Sequence, residues 1–184
     1  AEKCDLLEEF FTTNGCTLAE SGGTAVNVSL VESIEGAYDY ELHGYENEAY
    51  TLDVTASDIT ITAIKPTGII RAAQTLTQMA EGWDGQASLE AVSIKDWPAF
   101  KLRGYMHDVG RSFISADELV KQVEKFSRFK VNTFHWHMTE NQAWRFEVKA
   151  YPELTSTESM TRFAGQYYTQ EDCKKVLAAA MKHG

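Results

Sequence analysis

Two stretches of this 184-residue sequence gather the side chain types that chemistry needs. RGYMHDVGRSF, from Arg103 to Phe113, holds two arginines, a histidine and an aspartate, and HWHMTENQAW, from His135 to Trp144, holds two histidines, a glutamate and two tryptophans. Barrels and open α/β sheets place their sites at the ends of parallel strands and in the loops that leave them, and both stretches lie where such strands would end. Arg111 offers a planar guanidinium with five N–H donors, which suits adjacent hydroxyls or a carboxylate. Asp108, in an apolar strand near two arginines, reads most simply as their counter-ion. His135 and His137 are two residues apart, so on a strand they point to one side. That spacing serves a metal pair, with Asp108 or His107 as further ligands, and it serves equally two hydrogen-bonded packing residues inside a barrel. Packing is the preferred reading, and no metal is expected. Trp136, Trp144 and Tyr105 have faces on which a sugar can stack, but aromatic residues near strand ends more often pack the core.

The elements that must position these residues alternate strand, helix, strand, helix, the signature of a parallel sheet or barrel. KLRGYMHDV from Lys101 predicts a first strand. Ser115-Ala116-Asp117-Glu118 predicts a capping box, and Leu119, Val123 and Phe126 the buried stripe of a helix ending near Phe129. KVNTFHWHM from Lys130 predicts a second strand, followed by a long polar and aromatic loop to Tyr168. Thr169 to Asp172 offers a second N-terminal cap; Cys173, Val176, Leu177 and Ala180 form the apolar stripe of a last helix, with Lys182 and His183 where the dipole favours cations.

The first half has a different rhythm. AVNVSLV from Ala25, YDYEL from Tyr38, AYTLDV from Ala49 and ITITAI from Ile59 alternate or are β-branched, which predicts four short strands. Thr67 and Gly68 introduce a helix in which Ile69, Ala72, Ala73, Leu76 and Ala80 recur at helical spacing and after which Gly82 is a stop signal; it can cover one face of the sheet. LEAVSI from Leu89 is another strand-like run, and Asp96-Trp97-Pro98 marks a boundary. The charge balance changes there. From Ala1 to Pro98 acidic residues outnumber basic ones 17 to 4, whereas from Ala99 to Gly184 there are 10 acidic and 13 basic.

A net charge of −10 repels phosphate backbones and anionic lipid, so nucleic acid and membrane surfaces are not expected partners. No apolar run approaches the roughly 20 residues that a membrane-spanning helix needs. AEKCDLLEEF at the start lacks a signal peptide's regions; the compartment is left open, with an exported protein favoured over a cytoplasmic one. Cys4, Cys16 and Cys173 are too few and too scattered for a disulfide scaffold or a cysteine zinc site, though a Cys4–Cys16 bridge is open in an oxidising compartment.

Arg103-Gly104, Asp108 and Arg111, followed by FKVNTFHWHMTENQAW and then YPELT, resemble the opening of the catalytic barrel of family 20 glycoside hydrolases, the β-N-acetylhexosaminidases. EAYTLDVTASDITITAIKPTGIIRAAQTLTQM is similar to the family's small N-terminal α/β domain, and the two blocks stand in the family's order. The resemblance implies a small N-terminal α+β domain over residues 1–98, a sheet with a covering helix, followed over residues 99–184 by the first two β/α units of an incomplete TIM barrel. It implies an exo-acting enzyme on terminal β-linked N-acetylglucosamine or N-acetylgalactosamine, without metal or cofactor, in which the substrate's acetamido oxygen is the nucleophile. The family's catalytic Asp-Glu pair follows the fourth strand, so no catalytic residue is expected in this chain, which alone should be inactive. Arg111 matches the arginine that bonds hydroxyls of the terminal sugar. Glu140 stands where the family usually has an aspartate on the same end of the ring, and is the second expected substrate-binding residue. The expected partner is an N-acetylhexosaminide glycan; self-association through the exposed barrel edge and the Leu119 and Val176 stripes is also expected. Two rival readings are a non-catalytic carbohydrate-binding or interaction module and a metal-dependent barrel hydrolase using His135 and His137.

Overall fold

The computed structural model describes residues 4–37, 46–80 and 89–184. They form two compact units, which divide between Lys101 and Leu102, a few residues beyond Pro98.

The first unit is a four-stranded sheet of β1 (Ala25–Leu30), β2 (Tyr50–Val54), β3 (Asp58–Ala63) and β4 (Val92–Asp96), in the order β1-β3-β2-β4. β1 and β3 are parallel, while β2 runs antiparallel to β3 and β4. Alternation along β2 and β3 puts Tyr50, Leu52, Val54, Ile59, Ile61 and Ala63 on one buried face. That face is covered by Leu7, Phe10 and Phe11 of helix α1 (Asp5–Thr13) and by Ile69, Ala72, Ala73 and Leu76 of α2 (Pro66–Met79). The covering helix begins earlier than the sequence predicted: Lys65 is the N-cap and Pro66, with its preset φ, the first residue. Gly68 therefore lies inside the first turn and has a packing role, since a Cβ there would stand 2.5 Å from the Ala49 carbonyl oxygen and 2.9 Å from Ala63 Cβ. The last strand begins at Val92, not Leu89. The YDYEL strand and the Gly82 stop fall outside the described residues. Cys4, Cys16 and Cys173 are free thiols.

The second unit is the start of a TIM barrel. Strands β5 (Gly104–Asp108) and β6 (Thr133–His137) pair in parallel, with Tyr105 opposite Phe134, His107 opposite Trp136 and Asp108 opposite His137. Helices α3 (Ala116–Ser127) and α4 (Gln170–Lys182) pack on each other. Tyr105, Phe134 and Trp136 share the sheet face toward these helices: the Tyr105 ring stacks on Phe126 with centroids 4.2 Å apart, and Trp136 meets Tyr168 edge-on at 4.6 Å. Val109, Ala116, Leu119, Tyr168 and Val176 complete the core. Burial pushes the Tyr168 phenol up to about 12.

Four expectations are corrected here. The Ser115 cap is one-sided: its hydroxyl accepts from the Glu118 amide at 3.3 Å, while the Glu118 carboxylate turns to Lys121 at 2.6 Å. Thr169 and Asp172 form the reciprocal box instead. Leu177 is 58% exposed, because a step of one residue from buried Val176 turns about 100° around the helix. Leu119 and Val176 are not open stripes but lie at 0% and 3% exposure, each helix covering the other's apolar side. Between β6 and α4 the long loop contains a short hairpin, β7 (Thr139–Glu140) with β8 (Ala143–Trp144), and two 3₁₀ turns, Pro152–Thr155 and Thr157–Ser159.

Candidate functional site

Asp108 and His137 are the last residues of β5 and β6 and register partners, so they emerge side by side on the face away from the helices. His137 Nδ1 is 3.2 Å from Asp108 Oδ1. The chain then turns through Val109 and Gly110, and the Val109 amide donates to the His137 carbonyl at 3.0 Å, extending the ladder by one bond. Asp108 closes the turn by accepting from the Arg111 amide at 3.1 Å through Oδ1. Its other oxygen lies 3.1 Å from Arg111 Nε.

Glu140 reaches the same guanidinium from the β7 hairpin. Arg111 Nη2 donates to Glu140 Oε1 at 2.7 Å, and Glu140 Oε2 accepts from the Asn141 amide at 3.1 Å. The approach requires glycine at position 110, where a Cβ would stand 2.8 Å from Glu140 Cβ and 3.2 Å from Asp108 Oδ1. Arg111 is 59% exposed while both carboxylates are 22% exposed, so the cation sits at the mouth of the site with the anions behind it.

The electrostatics follow this arrangement. The bond from Arg111 holds Glu140 below the usual carboxylate range, and the same bond raises the Arg111 guanidinium. For Asp108, burial works against ionisation but is outweighed by the Arg111 amide, His137 and the Arg111 charge, so its carboxyl too is lowered. Both acids are therefore ionised at neutral pH, a state that accepts hydrogen bonds and has no proton to give.

The two expected substrate-binding residues, Arg111 and Glu140, are thus brought into direct contact, and Asp108 is the counter-ion the sequence suggested. The aromatic candidates separate. Tyr105 and Trp136 pack under the helices. Trp144 is 37% exposed, with its indole N–H donated to the Phe146 carbonyl at 2.7 Å. The histidine ligand set does not assemble: His107 lies on the helix side, bonded to Tyr105 and Gln122, whereas His135 and His137 share the opposite face with ring centroids 6.0 Å apart. Asp108, His137 and Glu140 do offer ligand atoms within 4.8 Å of one another, but Arg111 already bonds both carboxylates, so a cation there would have to displace a guanidinium.

Sequence reasoning missed Arg145. It is 0% exposed, and its guanidinium donates to the carbonyls of Val109, Gly110, Arg162, Phe163 and Gln166 at 2.7–3.1 Å. The signal available was slight: one arginine between two aromatic residues in AWRF.

Comparison with known proteins identifies the family of the two units. The model of glycosyl hydrolase family 20, domain 2, matches residues 1–97, and that of the family's catalytic domain matches residues 100–184. Beta-hexosaminidase 1 of Coccidioides posadasii is 34% identical over 95% of this chain and 29% of its own length. The beta-hexosaminidase of Emericella nidulans is 36% identical over 86% of this chain and 26% of its own. Among solved structures, the Vibrio harveyi exo-β-N-acetylglucosaminidase in complex with N-acetylglucosamine superposes with a TM-score of 0.75 at 32% identity, over 97% of this chain and 29% of its own. The β-N-acetylhexosaminidase of Streptomyces coelicolor gives 0.77 at 25% identity, over 98% and 37%. The chain therefore spans less than two-fifths of the length of these relatives.

Proposed function

The chain belongs to glycosyl hydrolase family 20, and from that premise we propose that the protein it is part of is an exo-acting β-N-acetylhexosaminidase in which Arg111 and Glu140 hold the terminal sugar. The observation that carries the reading is the exposed Arg111 guanidinium, fixed from behind by Asp108 at the end of β5 and by Glu140 in the hairpin that follows β6. An arginine held in this way presents N–H donors in a plane, and neighbouring ring hydroxyls are equatorial or axial acceptors at fixed spacing. Glu140 has lone pairs left on both oxygens to accept a hydroxyl proton, beyond the bonds from Arg111 and Asn141. With Gly110 beneath it, the longer glutamate has room that a β-carbon would close.

Hydrolysis in this reading is substrate-assisted, with the acetamido oxygen of the sugar as nucleophile, so the protein must orient that group and protonate the leaving oxygen. Asp108 and Glu140 are unsuited to the second task, since each is kept ionised by Arg111. The acid and the orienting aspartate belong, in the proposal, to a later strand of the barrel. Terminal N-acetylglucosamine or N-acetylgalactosamine is the sugar held. The proposal extends to self-association of the 184-residue chain, because among the described residues β5 and β6 pair only with each other, which leaves an outer edge on each strand.

The test is steady-state kinetics of the complete protein on a chromogenic β-N-acetylglucosaminide. Arg111→Ala should lower kcat/KM by about ten- to a hundredfold, the usual cost of losing bonds from a charged donor. Glu140→Asp should be tolerated and Glu140→Gln clearly worse. A folded Arg111→Ala enzyme with unchanged kinetics would contradict the assignment.

A further inference from the structure

We propose that Arg145 is a positioning residue for the sugar-binding pair, stapling the main chain that carries Arg111 to the hairpin that carries Glu140. The inference rests on the reading that Arg111 and Glu140 hold the sugar. Arg145 is fully buried, so it cannot itself touch a substrate. Its five N–H groups meet five carbonyl oxygens: Nε donates to Val109 at 3.1 Å, Nη2 to Gly110 at 3.1 Å and Arg162 at 2.7 Å, and Nη1 to Phe163 at 2.9 Å and Gln166 at 2.8 Å. Met160 Sδ lies 3.3 Å from Nη1. Val109 and Gly110 are the two residues immediately before Arg111, so the guanidinium grips the turn from which Arg111 projects.

The Arg145 main chain acts on the other arm. Its amide donates to the Met138 carbonyl at 2.9 Å, directly before the Thr139–Glu140 strand, and its carbonyl accepts from Tyr168 at 2.7 Å. One residue thus fixes both halves of the pair. The segment from 160 to 166 has no helix or strand of its own to satisfy its carbonyls, and three of them end on this side chain. Phe163 there adopts φ 48°, an uncommon conformation for a residue with a side chain, and its carbonyl and ring both face the guanidinium. The Phe113 ring flanks the other contact, 5.8 Å from the guanidinium carbon. Burying this charge on carbonyl dipoles carries a desolvation cost that burial expresses as a lowered guanidinium pKa. An apolar residue would avoid that cost, but it would leave the Val109, Gly110, Arg162 and Gln166 carbonyls without these donors, only Phe163 keeping the Gln166 amide, and the turn without an anchor.

A residue that acts through Arg111 has a signature that a merely structural one lacks. In the complete enzyme, kcat and KM on a chromogenic β-N-acetylglucosaminide would be measured for the wild type, Arg111→Ala, Arg145→Met and the double variant. Arg145→Met is expected to lower kcat/KM by about ten- to a hundredfold, the scale of a misplaced contact. The double variant should be no worse than Arg111→Ala alone, since a lost side chain cannot be misplaced. Arg145→Lys keeps the charge with three donors and should give a smaller loss with the same non-additivity, which covers the case in which the methionine variant does not fold. Losses that add would overturn the proposal and leave the Arg111 reading intact. Unchanged kinetics in Arg111→Ala would remove both, and failure of both Arg145 variants to fold would make Arg145 a folding residue and overturn the positioning role.

Discussion

Each unit buries one arginine almost completely, and the surroundings of the two differ. Arg71, on the regular helix α2, is 2% exposed and donates from Nε to the Glu48 carboxylate at 2.6 Å and from Nη1 to Gln74 at 3.0 Å. Arg145, in the loop after β8, donates to five main-chain carbonyls. In the first unit the helix and sheet already satisfy their own backbone, so the buried cation needs an anion and the pair serves packing. In the second unit the backbone around the site is irregular, and the cation takes the place that a helix or strand ladder would fill. The comparison teaches that a site built on loops needs an internal donor to be rigid.

The comparison predicts different failures. Arg71→Met should cost about 3–5 kcal/mol, because it removes the buried cation bonded to a Glu48 carboxylate only 13% exposed, and replacing Glu48 by leucine in the same chain should recover much of the loss. Denaturant unfolding followed by a probe in the first unit measures both. If Arg71→Met is nearly neutral, the pair is not what holds that helix. Arg145→Met should instead act locally: amides of residues 160–166 should exchange faster with deuterium, while those of β2 and β3 keep their protection.

A smaller effect is expected at Gly110→Ala, about 1–3 kcal/mol, since the added methyl must push Glu140 and its hairpin away from Arg111. Chemical shifts of the Glu140 and Asn141 amides should move with it. Unmoved shifts would show that the close approach at Gly110 does not constrain the pair.

The smallest effect is in titration. Glu140 and Asp108 both have lowered pKa values in the folded chain, so the stability they contribute is present above the ordinary carboxylate range, roughly 4, and is lost only as the pH falls through their lower folded values. Carboxyl carbon NMR should show Glu140 titrating below an ordinary glutamate, and Arg111→Ala should bring it back up. An ordinary titration in the wild type would break the link between the pair and its charge state.

Much of the fold was legible in the sequence, because burial imposes periods. Alternation marked β2 and β3, and helical spacing marked the faces of α2 and α3. At Leu177 the same signal misled, since an apolar residue beside the stripe looks like part of it until the partner helix is placed. Family resemblance singled out Arg111 and Glu140, but their bond across 29 positions was not legible, and neither was the Asp108–His137 contact, which depends on strand register. Arg145 was illegible for a deeper reason. Its partners are carbonyls, which every residue has, gathered from positions 109 to 166 without a side chain pattern. The β7–β8 hairpin, at two residues per strand, is too short to show a period.

The central claim is that Arg111 grips hydroxyls at the non-reducing end of the sugar, and substrate analogues lacking one such hydroxyl test it most directly. With the complete enzyme, removing a gripped hydroxyl should lower kcat/KM by about ten- to a hundredfold for the wild type and have little further effect on Arg111→Ala, because the contact is already gone. Equal losses in both enzymes, for every hydroxyl removed, would show that Arg111 does not touch the sugar.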